Sequence, residues 1–159
     1  MPVVHRQSLE VFADYHQFYV QDGGINPSAP EEWTDQDIEN RSKTAANVVV
    51  VCPLRNMTVP VELVVHDSEP PADSLAPDHA VECSLALPTG HLQLHECTGG
   101  PVLNLQIAPG TYRVRLTYRG LASISESGLE GNDFYKIELW PGTEHELQVT
   151  HRWAAPNEA

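Results

Sequence analysis

An all-β fold, an antiparallel β-sandwich of about nine strands with one short helix, is predicted by three features of this 159-residue chain. Segments rich in β-branched and aromatic residues recur along it, separated at short intervals by Pro/Gly/Asn turns. Residues 91–95 (His-Leu-Gln-Leu-His) and 112–119 (Tyr-Arg-Val-Arg-Leu-Thr-Tyr-Arg) alternate polar and apolar side chains, the mark of antiparallel strands with one wet face. Only one segment carries a helix-start signal, and no internal repeat or βαβ alternation is present.

Residues 9–20 read as one long strand, ended by Gly23-Gly24 and Asn26-Pro27. In that strand Tyr15, Gln17 and Tyr19 would share one face, and Asp14, His16, Phe18 and Val20 the other. Trp33-Thr34-Asp35-Gln36-Asp37-Ile38-Glu39-Asn40 reads as the helix, with Thr34 as N-cap, Asp37 three residues on, and acids in the first turn. Residues 47–52 form an apolar run of strand length. Residues 57–66 form another, in which Pro60 points to an edge or a bulge. Residues 67–79, with three prolines and neither period, read as an exposed loop. Strands follow at 80–87, 91–96, 102–108 and 111–119, then a Ser/Gly/Glu loop at 120–132, then closing strands at 133–140 and 144–153. A single domain over residues 1–153 is expected, with a frayed tail at 154–159.

The hydrophobic fraction of 41% and mean hydropathy of -0.31 place the chain among globular proteins rather than disordered or membrane ones. The longest apolar run, Val48 to Val51 extended by Cys52 and Pro53, is far short of the ~20 residues that span a bilayer. The first residues, Met1-Pro2-Val3-Val4-His5-Arg6, do not form a secretory leader. Three cysteines, Cys52, Cys83 and Cys97, lack any Cys-x-x-Cys pairing and read as buried core residues, so a cytoplasmic location is expected.

Charge is the most unusual bulk property: 22 acidic against 9 basic residues give a net charge of -13. Residues 1–40 carry Glu10, Asp14, Asp22, Glu31, Glu32, Asp35, Asp37 and Glu39 against Arg6 alone. Between Arg55 and Arg113 no Lys or Arg occurs, and seven acids there look unopposed. Direct nucleic-acid binding is therefore excluded, while steering toward a basic protein is favoured.

Eight histidines call for a search for catalysis. His91 and His95 share a strand face but lie about 13 Å apart, too far to ligate one metal. Convergence of one of them with His66 or Asp67 is the metal-enzyme alternative. No Gly-x-Ser-x-Gly elbow and no phosphate-binding Gly motif is present. The expectation is no enzyme, no catalytic residues, no metal and no cofactor. A second alternative is a small-ligand or carbohydrate-binding module that stacks on Tyr15, Tyr19, Trp33 or Trp140.

Tyr15-His16-Gln17-Phe18, Asp22, Trp33-Thr34-Asp35-Gln36-Asp37-Ile38 and Ala45-Ala46 leading into the valine strand resemble the competence protein ComJ family. Ile107-Ala108-Pro109-Gly110-Thr111-Tyr112-Arg113-Val114 and Asp133-Phe134-Tyr135-Lys136-Ile137 are similar to later segments of that family. The order of these blocks holds over most of residues 8–140. The loop at 67–79, the cysteines and His151-Arg152-Trp153 depart from the pattern. The resemblance implies a small acidic protein that binds and inhibits a DNA-entry nuclease, or a related immunity protein against a toxin nuclease. On that reading Asp14, Tyr15, His16, Tyr19, Asp22, Trp33, Asp35 and Asp37 form the partner-binding surface, the partner is a basic nuclease, and self-association is left open.

Overall fold

The computed structural model describes residues 3–154. Eleven strands among them form two sheets, with one α-helix and two 3-10 turns, so the fold is all-β. The six-stranded sheet runs β1 (Val3–Phe12), β5 (Thr58–His66), β10 (Phe134–Pro141), β9 (Gly110–Arg119), β6 (His79–Leu87), β11 (Gln148–His151). The five-stranded sheet runs β3 (Ser42–Ala45), β4 (Val48–Val51), β2 (Phe18–Asp22), β7 (His91–Glu96), β8 (Gly100–Gln106). Inward residues of both sheets, among them Phe18, Val20, Val49, Leu92, Leu63, Val114, Leu116 and Ile137, merge into one core.

The sandwich is not wholly antiparallel. β5 and β10 pair in parallel, Tyr135 opposite Val61 through Leu139 opposite Val65. Both strands are covered on both faces, as parallel pairing requires: Leu63, Val64, Val65 and His66 are all buried, as are Ile137 to Trp140. Pro60 falls neither at a sheet edge nor at a bulge. It faces Glu10 of β1 in the part of β5 that precedes the β10 pairing, where one side of the strand needs no ladder donor.

The long strand expected at 9–20 is two strands in different sheets. β1 ends at Phe12, a 3-10 turn occupies Asp14–His16, and β2 begins at Phe18. Tyr15 and His16 stand in the left-handed region (φ 58° and 57°), which no strand tolerates. β3, short and polar, has no counterpart among the expected strands. β11 covers only Gln148–His151 of the closing strand expected at 144–153, and β6 takes His79 from the loop expected before it. Of the frayed tail expected at 154–159, all but Ala154 lies outside the described residues.

The chain changes sheet at residues 13–17 and again at 52–57, and these two crossings are fastened together. The Ala13 N–H donates to the Met57 carbonyl at 3.0 Å. Two fully buried tyrosines reach the second crossing from the core. The Tyr118 hydroxyl donates to the Arg41 carbonyl and accepts from the Cys52 N–H. The Tyr135 hydroxyl donates to Asp133 (2.6 Å) and accepts from the Leu54 N–H (3.0 Å). Asp133 also accepts from Arg55 Nε at 2.6 Å, an ion pair withdrawn from water. Burial pushes both phenol pKa values up, so the hydroxyls stay protonated and keep donating. Tyr135→Phe should strand the Leu54 N–H and lower stability by about 1–3 kcal/mol, read as a lower urea midpoint with an unchanged slope.

At the start of β6, His79 ties three elements. Its Nδ1 accepts from the Trp153 N–H at 3.0 Å, which leaves Nε2–H to donate to the Asn40 carbonyl at 2.7 Å. Burial, helped by Arg41 and Arg152 and opposed by the Asn40 bond, lowers its pKa to about 4. Unfolding therefore takes up a proton between the ordinary histidine pKa of about 6.5 and 4, and stability falls as pH drops through that window. The loss attributable to His79 should reach roughly 2–3 kcal/mol. Urea unfolding at pH 7 and at pH 4, compared with His79→Gln, should show the wild-type advantage shrinking by that amount.

Candidate functional site

The turn at Asp14–His16 is closed by the Gln17 N–H donating to the Asp14 carbonyl at 3.3 Å and held against its backbone strain by four further bonds. Asp14 accepts from its neighbour's N–H (Tyr15, 3.1 Å) and from the Thr98 hydroxyl (2.8 Å). The His16 N–H donates to the Ala13 carbonyl, and the His16 ring donates from Nδ1 to the Pro53 carbonyl at 3.3 Å. Two consecutive non-glycine residues in the left-handed region cost on the order of 1–3 kcal/mol each. The geometry they enforce turns Tyr15 outward, 68% exposed.

Facing this turn is helix α1 (Asp35–Asn40). A full capping box starts it: Thr34 Oγ1 accepts from the Asp37 N–H, and Asp37 Oδ2 accepts from the Thr34 N–H. Lys43 of β3 secures the same end by bonding Asp37 at 2.7 Å and the Glu32 carbonyl at 2.6 Å, with its ammonium 5.8 Å from the centre of the Trp33 ring. The Lys43 bond and the capping bonds hold the Asp37 carboxyl below its ordinary pKa. Arg41 ends the helix in the left-handed conformation. Thus fixed, α1 leaves Ile38 59% exposed.

Between turn and helix lies an open groove of about 250 Å³, lined by Tyr15, His16, Gln17, Trp33, Ile38 and Cys52. Apart from His16 and Gln17 it is apolar. Burial pushes the Cys52 thiol up to about 12, so it packs rather than reacts; buried Cys83 is likewise pushed up to about 12.

Of the residues singled out in the sequence, Tyr15, His16 and Trp33 meet in this groove. Asp35 and Asp37 lie in the first turn of its helical wall, and Asp14 at the base of its turn. Tyr19 stands behind it: half-buried, its hydroxyl bonds Gln17 Oε1 at 3.0 Å and Cys97 Sγ at 3.3 Å, so it sets the position of Gln17. Asp22 is elsewhere. Fully buried, it accepts from the Gly24 N–H (2.8 Å), the Thr89 N–H (2.9 Å) and the Thr89 hydroxyl, clamping the end of β2 to the β6–β7 turn. Burial alone would raise its pKa, but these bonds outweigh it and hold the carboxyl below its ordinary value. Ile38 was not singled out. Its signal was a lone apolar residue in a six-residue polar helix, with no companion three or four positions away to form a buried stripe.

Four of the seven acids that looked unopposed, Glu62, Glu69, Asp73 and Glu82, pair with distant basic residues. The β6–β9 register sets Glu82 opposite Arg115, and Arg113 and Arg115 both reach it, at 3.1 and 3.3 Å. Asp73 pairs with Arg119, and Glu62 with Arg6. Among the described residues, Asp14, Glu31, Glu32, Asp35 and Glu39 form no ion pair, nor do Glu10, Asp22, Asp67, Asp78, Glu96, Glu126, Glu130, Glu144 and Glu146, so the acids near the groove are part of a wider uncompensated field.

The residues of the metal alternative are split between sheets. His66 lies in the six-stranded sheet bonded to Glu138 at 2.9 Å, whereas His91 and His95 lie in the other. No group of three or more metal-ligating side chains converges among the described residues. Trp140 is only 2% exposed, beneath Arg113 and Arg115, which removes it as a stacking platform. No described helix is long and apolar enough to cross a membrane.

No protein-family model matches the chain, and no curated protein matches it by sequence. Among solved structures, the crystal structure of ComJ from Bacillus subtilis, described as the inhibitor of the DNA degrading activity of NucA, superposes with a TM-score of 0.65 over 89% of this chain and 98% of that one, at 19% identity. The chain has the ComJ fold. A protein described as crocagin biosynthetic gene J shares it, with a TM-score of 0.56, 22% identity, and coverage of 90% of this chain and 100% of that one. The match spans nearly the whole length of both neighbours.

Asp22→Asn tests the clamp. It should destabilise by about 2 kcal/mol at pH 7, because a buried amide cannot accept all three bonds. A depressed carboxyl pKa contributes stability above its unfolded value near 4 and loses it as pH falls further, so the gap between wild type and variant in urea unfolding should close below pH 4.

Proposed function

We propose that this chain is a non-enzymatic inhibitor that acts in the cytoplasm and binds a basic nuclease, either a DNA-entry nuclease or a toxin nuclease, through the groove between Tyr15 and Ile38. The observation that carries this reading is an apolar groove with two large exposed side chains, Tyr15 and Ile38, whose helical wall and turn also carry Asp14, Asp35 and Glu39, which form no ion pair among the described residues. A desolvated apolar centre with a charged rim is the composition of a protein-binding patch. Nuclease clefts are basic because they hold phosphate, and Glu31, Glu32, Asp35 and Glu39 offer carboxylates in phosphate's place. ComJ, whose fold this chain shares, is described as inhibiting the DNA degrading activity of NucA. Three free thiols fit a reducing compartment.

In this account Tyr15 and Ile38 are anchors and hold the complex once formed. The rim carboxylates chiefly speed encounter, so their effect falls with salt. His16 and Gln17 supply adaptable polar contacts at the groove wall.

The test is inhibition of DNA cleavage by a basic nuclease of the host, retained on the immobilised chain at low salt and identified by mass spectrometry. Equimolar wild type should abolish its activity. Tyr15→Ala and Ile38→Asp should each weaken inhibition about 10-fold or more, whereas Asp35→Asn with Glu39→Gln should mainly slow association and flatten its salt dependence. Full inhibition by both anchor variants, or retention of no basic nuclease at low salt, contradicts the proposal.

A further inference from the structure

The two sheets end in four edge strands: β1, β11, β3 and β8. β3 and β11 have four residues each, and β8 carries Pro101. Short edges and prolines are the devices that keep sheets from pairing with another chain. β1 has neither. It is ten residues long, with no Pro, Gly or Lys, and one irregularity, between Val3 and His5. From His5 onward it is a regular strand, and among the described residues nothing bonds its free edge over residues 5–11.

The side chains of this edge are self-complementary. Val11 and Leu9 turn into the core, so Arg6, Ser8, Glu10 and Phe12 share the outer face, all exposed. If a second copy lies antiparallel with Ser8 opposite Ser8, Arg6 of each copy stands directly opposite Glu10 of the other. One two-fold axis creates two opposite-charge cross-strand pairs. Shifting the register by two residues in either direction sets Arg6 against Ser8 or against Phe12 and loses both ion pairs. Arg6 is free to turn outward: its guanidinium is half-exposed and touches Glu62 only at 3.7 Å.

We infer that β1 is a homodimerisation edge, at which a second copy of this chain pairs antiparallel about Ser8 and joins two six-stranded sheets into one. The occupant is this chain because the charge pattern of residues 6–10 complements itself. One strand pair buries less than the ~1,200 Å² of a standard interface, and each copy carries a charge of -13, so the association is weak and needs salt to screen the net repulsion.

Analytical ultracentrifugation in about 0.15 M salt, from about 5 to 500 µM protein, tests this. The mass should rise from 17.6 kDa toward twice that value. Arg6→Glu and Glu10→Arg, each placing like charges opposite one another twice, should each raise the concentration needed for dimerisation about 10-fold or more. An equimolar mixture of these two variants should regain a dimer, because both cross-strand pairs are then restored, and far-UV circular dichroism should show each variant folded. A wild type that stays at 17.6 kDa throughout, single variants that dimerise like wild type, or a mixture no better than its components would each overturn the inference.

Discussion

Two buried tyrosine hydroxyls decide where the candidate surface stands. Tyr118 and Tyr135 rise from adjacent strands of the six-stranded sheet and stack edge to face at 5.1 Å. Their polar tips emerge at the end of the sandwich where the chain crosses between sheets. There they bond the Leu54 N–H and join the Arg41 carbonyl and the Cys52 N–H, which also bond each other at 3.2 Å. The fixed segment 52–54 presents the Pro53 carbonyl to His16, and Arg41 closes helix α1. One wall of the groove and the end of the other are therefore tied to the core by hydrogen bonds, among them that of His79 to the Asn40 carbonyl. Arg55 and Asp133 reinforce this end with a desolvated ion pair.

The strain at Tyr15 and His16 makes sense in that setting. A plain hairpin could have joined β1 to β2 only within one sheet; crossing between sheets needs an abrupt change of direction, and here two left-handed residues supply it. The same change of direction turns an aromatic ring into solvent beside an exposed isoleucine. Chain reversal and the exposure of the Tyr15 ring meet in one three-residue turn.

Much of the fold was legible because its signals are local. The alternation in 112–119, the apolar run at 48–51 and the capping box at Thr34 and Asp37 each depend on neighbours a few residues away. What was not legible depends on distant partners. Residues 9–20 have strand composition throughout, and only the bonds of Asp14 to Thr98 and of His16 to Pro53 show why the chain bends there. The parallel β5–β10 pair joins segments over seventy residues apart in the sequence. Glu69, Asp73 and Glu82 looked free because their counter-charges, Arg113, Arg115 and Arg119, arrive with β9. Of the site, the aromatic and acidic block was visible as composition. The structural duty of Asp22, the supporting place of Tyr19 and the exposure of Ile38 follow only from the register of β2 and the seating of α1.

The proposed function makes the groove between Tyr15 and Ile38 the surface that binds the nuclease. Hydrogen–deuterium exchange of the chain alone and with saturating nuclease examines that claim directly. The account predicts that binding slows exchange in residues 14–17 and 33–41 and leaves the β6–β9 ladder unchanged. Slowed exchange confined to other segments, while the nuclease is fully inhibited, would contradict it.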